Sequence, residues 1–181
     1  NQCQVYKCKV AAFEDTKSAQ LGSYLPTDLE MDADETVTWV IDPEDYKADV
    51  LFVFENGRVA RVALSGYATK TNRKRLKNAI YGGSKLMYAT VLKEERDLTL
   101  VSSDYRLVNF NTSLLKTKTT NSTQGVQALA IKGSRTVTMV GTAEEFIGGK
   151  AQVEKFRAEK LPSAGAPMKE TDMKSLFDLE E

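Results

Sequence analysis

The sequence predicts an all-β fold: a propeller-like, partial array of about three four-stranded blades, followed by a short C-terminal tail. Residues 50–62 align with residues 98–110, and residues 4–10 align with residues 58–64, so the first copy lacks its first strand. Each copy alternates apolar and polar residues as a strand does. Repeats of about fifty residues made of short strands are typical of blades arranged around an axis.

The elements of each unit follow from this repeat. Residues 50–61 predict a hairpin, in which Asn56-Gly57 favours a type I′ turn with positive φ at both central positions. The second half of each unit starts after a glycine, at Gly22, Gly82 and Gly125, and contains a further apolar run such as the predicted strand 36–41. The spacing from hairpin to glycine gives the middle unit about six extra residues.

Unit boundaries near Asp49, Asp97 and Ile147 divide the chain into blades 1–49, 50–97 and 98–147 and a tail, 148–181. In the tail, residues 150–160 predict a short helix that Pro162 stops. The low apolar content predicts that the rest of the tail is mostly mobile. Because the chain starts directly in a strand-like run at Asn1, we expect an excised fragment.

Composition argues against most enzymes. The chain has no histidine, the usual general base and a common metal ligand. It also has no GxxxxGK[ST] or GxGxxG stretch, so we expect no catalytic residue, no nucleotide site and no cofactor of its own. Membrane-span and signal-peptide patterns are missing, which favours a cytoplasmic protein. Cys3 and Cys8 are expected to be two reduced thiols, one of them buried.

Charge is unevenly distributed, although the net charge is zero. Residues 1–49 carry 4 basic and 11 acidic residues, a net charge of −7, and residues 50–97 carry 10 and 4, a net charge of +6. The middle unit holds a cluster of five cations interleaved with Thr and Asn, and the third unit holds a second cluster at the corresponding place. Cations among small hydrogen-bonding residues suit phosphate binding. The predicted DNA-binding residues are Lys70, Arg73, Lys74, Arg75, Lys77, Lys116, Lys118 and Arg61.

Two other features favour structural roles. The acidic run 28–35 lacks the central glycine and the terminal glutamate of a calcium loop, so we expect a solvated connector rather than a metal site. Trp39, in the alternating run 36–40, is expected to fill the core or an inter-blade contact rather than to stack on a base.

The hairpin sequences LFVFENGRVARVAL and TLVSSDYRLVNF, with the later run Gly125, Val126, Gln127, Ala128, Leu129, resemble the C-terminal β-pinwheel domain of the A subunits of DNA gyrase and topoisomerase IV. The resemblance covers about residues 4–147. It implies a bacterial, nucleoid-associated, non-catalytic domain that wraps duplex DNA without sequence preference and presents it to the strand-passage core. It also implies that the partners are the rest of the A subunit and an ATPase B subunit, and that ATP, Mg²⁺ and the DNA-cleaving tyrosine belong to other domains of this isomerase.

Two departures from the family limit what the resemblance implies. Tyr105 stands where the family's turn usually has glycine, so this hairpin must strain or open into a longer loop. The basic glycine-rich box on which supercoiling by gyrases depends is not found, so gyrase and topoisomerase IV both stay open. The alternative function is a protein-interaction propeller, in which the basic clusters are incidental.

Overall fold

Two four-stranded antiparallel sheets and one two-stranded pair form the framework. The computed structural model describes residues 1–69, 74–146 and 149–172. Its helices are α1 (Leu25–Asp28) and α2 (Gly149–Glu154). Its strands are β1 (Val5–Tyr6), β2 (Asp49–Phe54), β3 (Arg58–Ala63), β4 (Arg75–Leu76), β5 (Leu86–Leu92), β6 (Asp97–Ser102), β7 (Arg106–Asn111), β8 (Val126–Gln127), β9 (Val137–Gly141) and β10 (Ala166–Pro167).

The repeat at an offset of 48 is confirmed by the two hairpins. β2 pairs with β3, and β6 pairs with β7 in the same register, 48 residues later. Both faces of β2 are buried: Val50 and Phe52 enter one apolar cluster, and Leu51 and Val53 enter another, shared with β6 and β7. Burial on both faces explains why β2 is a continuous apolar run rather than an alternating one.

The prediction of a type I′ turn at Asn56-Gly57 is wrong. Only Gly57 has a positive φ, +78°, and its N–H donates to the carbonyl of Phe54, which makes a three-residue loop that ends in a left-handed residue. Tyr105 has the same conformation, with φ +57°, so the third hairpin strains rather than opening. In the first unit Cys3, at the corresponding position, also has φ +57°.

The strands β1, β3 and β7 each pair with a short strand from the next part of the chain. β4 pairs with β1, β8 with β3, and β10 with β7. We call β4, β8 and β10 the exchange strands. The sheet orders β5-β2-β3-β8 and β9-β6-β7-β10 result, so adjacent sheets are linked by backbone hydrogen bonds as well as by the apolar core.

The expected extension of the middle unit is also wrong. Leu76 pairs with Val5 as Val126 pairs with Val59, so Leu76 and Val126 are structurally equivalent. Val59 and Leu76 are 17 positions apart, whereas Leu107 and Val126 are 19 apart. The basic segment of the middle unit is therefore slightly shorter than its counterpart, because Gly82 lies beyond the exchange strand.

The first unit is only partly formed. Residues 36–41 are not a strand, although a strand was predicted, and Trp39 is 41% exposed rather than part of the core. Its ring makes an edge contact with Tyr88, at 5.5 Å between centroids. Cys8 is exposed and Cys3 is half-buried. Both thiols are free, but the prediction that one of them is buried is wrong.

The described part of the tail packs on the hairpin of β6 and β7. The predicted helix is present but shorter, as α2, and the chain then runs beside β7 at Arg157 and reaches β10. Val153, Phe156 and Met168 are buried against Val101 and Leu107, on the face of β6 and β7 that points away from β2. Residues 147–148 and 173–181 lie outside the described part.

Candidate nucleic-acid interface

Two connectors carry the predicted basic clusters. After β3 the chain makes a 3₁₀ turn, Leu64–Tyr67, and runs to β4; after β7 it makes a 3₁₀ turn, Thr112–Leu114, and runs to β8. We call residues 64–79 the middle connector and residues 112–127 the third connector. The third connector runs beside β3 through backbone bonds of Lys118 with Arg61 and Ala63, and the described part of the middle connector contacts it at Gly66.

The two connectors contact each other. The side-chain amide of Asn121 donates to the carbonyl of Gly66 at 3.0 Å. A cavity of about 170 Å³ lies between them, lined by Leu76, Lys77, Asn78, Ala79, Asn121 and Ser122. The described parts of the two clusters that the sequence placed at corresponding positions therefore lie next to each other.

Four of the predicted residues are exposed lysines on this surface. Lys74 and Lys77 belong to the middle connector, and Lys116 and Lys118 to the third. The backbone of Lys118 bonds to β3 through Arg61 and Ala63, and the carbonyl of Lys74 accepts from Lys7 next to β1. These bonds fix the backbone at Lys74 and Lys118. Two of the four charged side chains are therefore attached to hydrogen-bonded backbone rather than to a free loop.

Arg61 is committed to internal partners. Its guanidinium pairs with Asp49 at 2.6 Å and with Glu95 at 2.7 Å, and its side chain is only 17% exposed. It also donates to the carbonyl of Thr112, where the third connector starts. We therefore assign Arg61 to holding the connector in place.

Arg75 is held in a similar way. Its guanidinium pairs with Asp32 at 2.5 Å and with Glu35 at 3.0 Å, and it lies over the ring of Tyr6. The acidic run of the first unit therefore neutralises part of the basic cluster, which no partner close in sequence can do. Among the described residues no group of three or more His, Cys, Asp or Glu side chains is arranged to hold a metal ion.

The acidic partners of Arg75 are stabilised in their charged form. The hydrogen bond from Arg75 lowers the pKa of Asp32, and the hydrogen bond from the Tyr6 hydroxyl lowers the pKa of Glu35. Burial, and then this hydrogen bond to Glu35, raise the pKa of Tyr6 to about 12. The cluster thus joins β1, the acidic run and the middle connector at neutral pH.

Lys70 and Arg73 lie outside the described residues. Sequence reasoning included Asn121 in the cluster of the third unit but missed Ser122, and both residues line the cavity beside Lys77. Asn recurs in both clusters, but Ser122 has no counterpart in the middle cluster, so the contact between the connectors was needed to locate it.

The chain is similar to several solved structures, and the superpositions with TM-scores of 0.69 and 0.61 show a shared fold. The C-terminal domain of DNA topoisomerase IV superposes with a TM-score of 0.69 over 81% of this chain and 46% of its own, at 20% identity. The E. coli ParC C-terminal domain superposes with a TM-score of 0.61 over 84% of this chain and 68% of its own, at 15% identity. The gyrase A C-terminal domain gives a TM-score of 0.42 over 56% of this chain and 33% of its own, at 15% identity.

Comparison of the sequence alone finds no matching family model and no matching curated protein. The chain spans about half the length of the topoisomerase IV domain with which it superposes. No helix in the described ranges is long and apolar enough to cross a membrane. The expected resemblance is confirmed at the level of the fold, and the chain has the β-pinwheel fold of these C-terminal domains.

Proposed function

We propose that this chain binds duplex DNA, without sequence preference, on the surface that the two connectors form. The observation that carries this proposal is the set of four exposed lysines, Lys74, Lys77, Lys116 and Lys118, on two connectors that touch. Lysines on one continuous surface release the counterions condensed on DNA when they meet its phosphates. Neighbouring amides and hydroxyls fix the register of the backbone on the protein.

Sequence tolerance follows from the shape of this surface. Reading base edges needs a helix or a two-stranded ribbon that enters the major groove. The connectors are packed along a sheet edge, and the described helices are only four and six residues long. Contacts are therefore expected with phosphates rather than with bases.

The wider role that we propose rests on the fold. The superposed structures are C-terminal domains of topoisomerase IV and its ParC subunit. We infer a non-catalytic domain of a type IIA topoisomerase A subunit, which wraps DNA along successive connectors and presents it to a strand-passage core. In this proposal the core, an ATPase B subunit and their ATP and Mg²⁺ are contributed by other parts of the enzyme.

The test is affinity for random-sequence linear duplex at several salt concentrations. Each phosphate contact contributes a slope of about −0.9 to log K against log salt, so four lysines contribute about −3.6. Replacing Lys74, Lys77, Lys116 and Lys118 together by alanine should weaken binding to all sequences alike and make the slope shallower by roughly 3 to 4 units.

The matched control removes the same charge from the opposite edges of the two sheets. Lys85 and Lys93 flank β5, and Lys132 and Arg135 precede β9, and all four are exposed. Alanine at these four positions should leave the salt slope nearly unchanged. Equal losses in both variants would show that net charge alone drives binding, and no binding by the parent chain would favour the protein-interaction function instead.

A further inference from the structure

The exchange strand β8 keeps a regular register up to the turn residue that it meets. Val126 pairs with Val59, and Ala128, two residues later, donates its N–H to the carbonyl of Gly57. β10 shows the same two-residue spacing on β7. The two later exchange strands therefore follow one pattern.

The exchange strand β4 departs from this pattern by one residue. Leu76 pairs with Val5, but the N–H that the carbonyl of Cys3 accepts belongs to Ala79, three residues later. The extra residue forms a β-bulge, in which Asn78 has a left-handed φ of +51°. Bulges of this kind redirect side chains and are frequent beside functional sites. We call residues 77–78 the connector bulge.

The connector bulge forms one wall of the cavity between the two connectors. Lys77 and Asn78 line this cavity from the middle connector, and Asn121 and Ser122 line it from the third. Its volume of about 170 Å³ has room for several waters or for one group the size of a phosphate. The irregularity of β4 therefore lies where the two units contact each other.

A β-turn forms the opposite wall of the cavity. The N–H of Thr123 donates to the carbonyl of Thr120, so Asn121 and Ser122 lie at the tip of this turn. The side-chain amide of Asn121 donates one N–H to the carbonyl of Gly66 and holds the turn against the middle connector. Its second N–H and the hydroxyl of Ser122 are further donors at the tip. The wall is therefore anchored and still carries hydrogen-bond donors.

The groups that line the cavity suit a phosphate. They include one ammonium, two side-chain amides and one hydroxyl, all of which can donate hydrogen bonds. None of the six described lining residues is acidic, so the lining itself does not repel an anion. Hydrogen bonds to a charged oxygen are stronger than those between neutral groups. Because the donors come from two units, one phosphate between them would bind both.

We propose that this cavity binds one phosphate group, which the backbone of the bound DNA supplies where it crosses from one connector to the other. The inference rests on the proposed function and deepens it. Exposed lysines attract any phosphate that passes near them, whereas the cavity holds one phosphate by directed hydrogen bonds and fixes the position of the DNA backbone on the protein. The connector bulge makes this possible, because it places Lys77 and Asn78 at the cavity wall.

Neutral substitutions in the full chain test the directed hydrogen bonds. Asn121→Ala and Ser122→Ala should each weaken binding to random-sequence duplex by about three- to tenfold, since each removes a hydrogen bond to a charged group. The slope of log K against log salt should stay nearly the same, because no charge is removed. Ser134→Ala is the matched control: it removes an exposed hydroxyl that precedes β9 and should leave the affinity unchanged.

Two further variants change the shape of the cavity. In Gly66→Ala the added Cβ would lie 2.4 Å from the Oδ1 atom of Asn121, so the amide must turn away, and binding should fall as it does in Asn121→Ala. Deletion of Asn78 gives β4 the spacing of β8 and should weaken binding by a similar factor. Melting temperatures close to that of the parent chain would show that these losses do not come from unfolding.

Inorganic phosphate tests the cavity without DNA. In amide NMR spectra of the parent chain, added phosphate should shift the signals of Lys77, Asn78, Asn121 and Ser122 in a saturable way, and chloride at equal ionic strength should not. Full duplex affinity in the folded variants, or no saturable shift, would overturn the phosphate site and leave the proposed function intact. Saturable shifts in a chain that binds no duplex would instead contradict the proposed function and support a site for free phosphate.

Discussion

A residue with a left-handed φ lies at the same position in each unit, and this residue need not be glycine. Gly57 accepts this conformation without strain, but Tyr105 and Cys3 have a Cβ that makes it unfavourable by roughly 1–2 kcal/mol. The exchange strands explain why the conformation is kept. The carbonyl of each turn residue must face the exchange segment to accept its N–H.

Tyr105→Gly should therefore stabilise the protein. The tyrosine side chain is 58% exposed, so little packing is lost, and the expected gain is about 0.5–1 kcal/mol in the free energy of unfolding. Denaturant unfolding measures it. Gly57→Ala is the opposite control and should destabilise, because its Cβ would lie 2.2 Å from the carbonyl oxygen of Leu129.

Lysine and arginine play different parts at this surface. The two arginines of the predicted set that the structure describes are held by carboxylates, and the four lysines of that set that it describes are exposed. Arginine suits the first role because its planar fork bonds two partners at once. The partners lie 12–43 residues away in sequence, at Asp49, Glu95, Asp32 and Glu35, so no local pattern could identify them.

Arg61→Gln should accordingly reduce stability more than DNA affinity. The change leaves Asp49 and Glu95 without their charged partner, which we expect to cost about 1.5–3 kcal/mol. Folded variant should bind duplex within about twofold of the parent and with the same salt slope, since no phosphate contact is removed. Calorimetry and titration at two salt concentrations separate the two effects; a shallower slope would contradict the assignment.

At the scale of elements, the sequence predicted the hairpins but not the exchange strands. β2, β3, β6 and β7 have six residues each, and their pattern recurs at a fixed offset. β4, β8 and β10 have two residues each, too few for a periodicity, and they pair with strands of another unit. For this reason the sequence predicted which residues form the basic cluster but not which strand edges they lie beside.

The tail follows the same rule as the units. Gly165 precedes β10 as Gly125 precedes β8, and both have a left-handed φ. β10 binds β7 at the position where β8 binds β3. The described tail thus supplies an exchange strand to the third hairpin and covers its outer face with α2 and Phe156.

Phe156→Ala should test this packing. Phe156 is 7% exposed and packs with Val153 and Met168 on Val101 and Leu107, so removal of its ring should destabilise by about 3 kcal/mol or more. Hydrogen exchange should accelerate in β7 and β10 before it does in β2 and β3, because the lost contact supports only the third hairpin. Uniform acceleration across both sheets would mean that the array unfolds as one unit.

The link between the first unit and the middle connector should be sensitive to acid. The pKa values of Asp32 and Glu35 are lower in the folded chain than their ordinary values of 3.8 and 4.5. Their stabilising effect is therefore complete above those ordinary values and is lost as the pH falls through the lower, folded pKa values. Limited proteolysis between pH 7 and pH 3 should show residues 1–35 released first, and Arg75→Met should remove the part of that dependence that Asp32 contributes.

At the scale of the whole molecule, charge polarity should direct the DNA path. The first unit carries 11 acidic against 4 basic residues, although two of its carboxylates are used on Arg75. Asp28 and Glu30 are exposed and lie in the same acidic run. If DNA binds the connectors as proposed, we expect the lysines to attract it and the first unit to repel it from its side.

Replacing Asp28 by Asn and Glu30 by Gln should tighten binding to random duplex by about two- to fourfold at low salt, because two repelled charges are removed. The gain should fade as salt rises, since the screening length shrinks from about 30 Å at 0.01 M to about 3 Å at 1 M. Titrations across this range measure it. The slope of log K against log salt should become steeper rather than shallower, because affinity is gained mainly at the low-salt end. An affinity unchanged at every salt concentration would place the DNA path away from the first unit altogether, and a loss of affinity would mean that these carboxylates organise the connectors instead of repelling DNA.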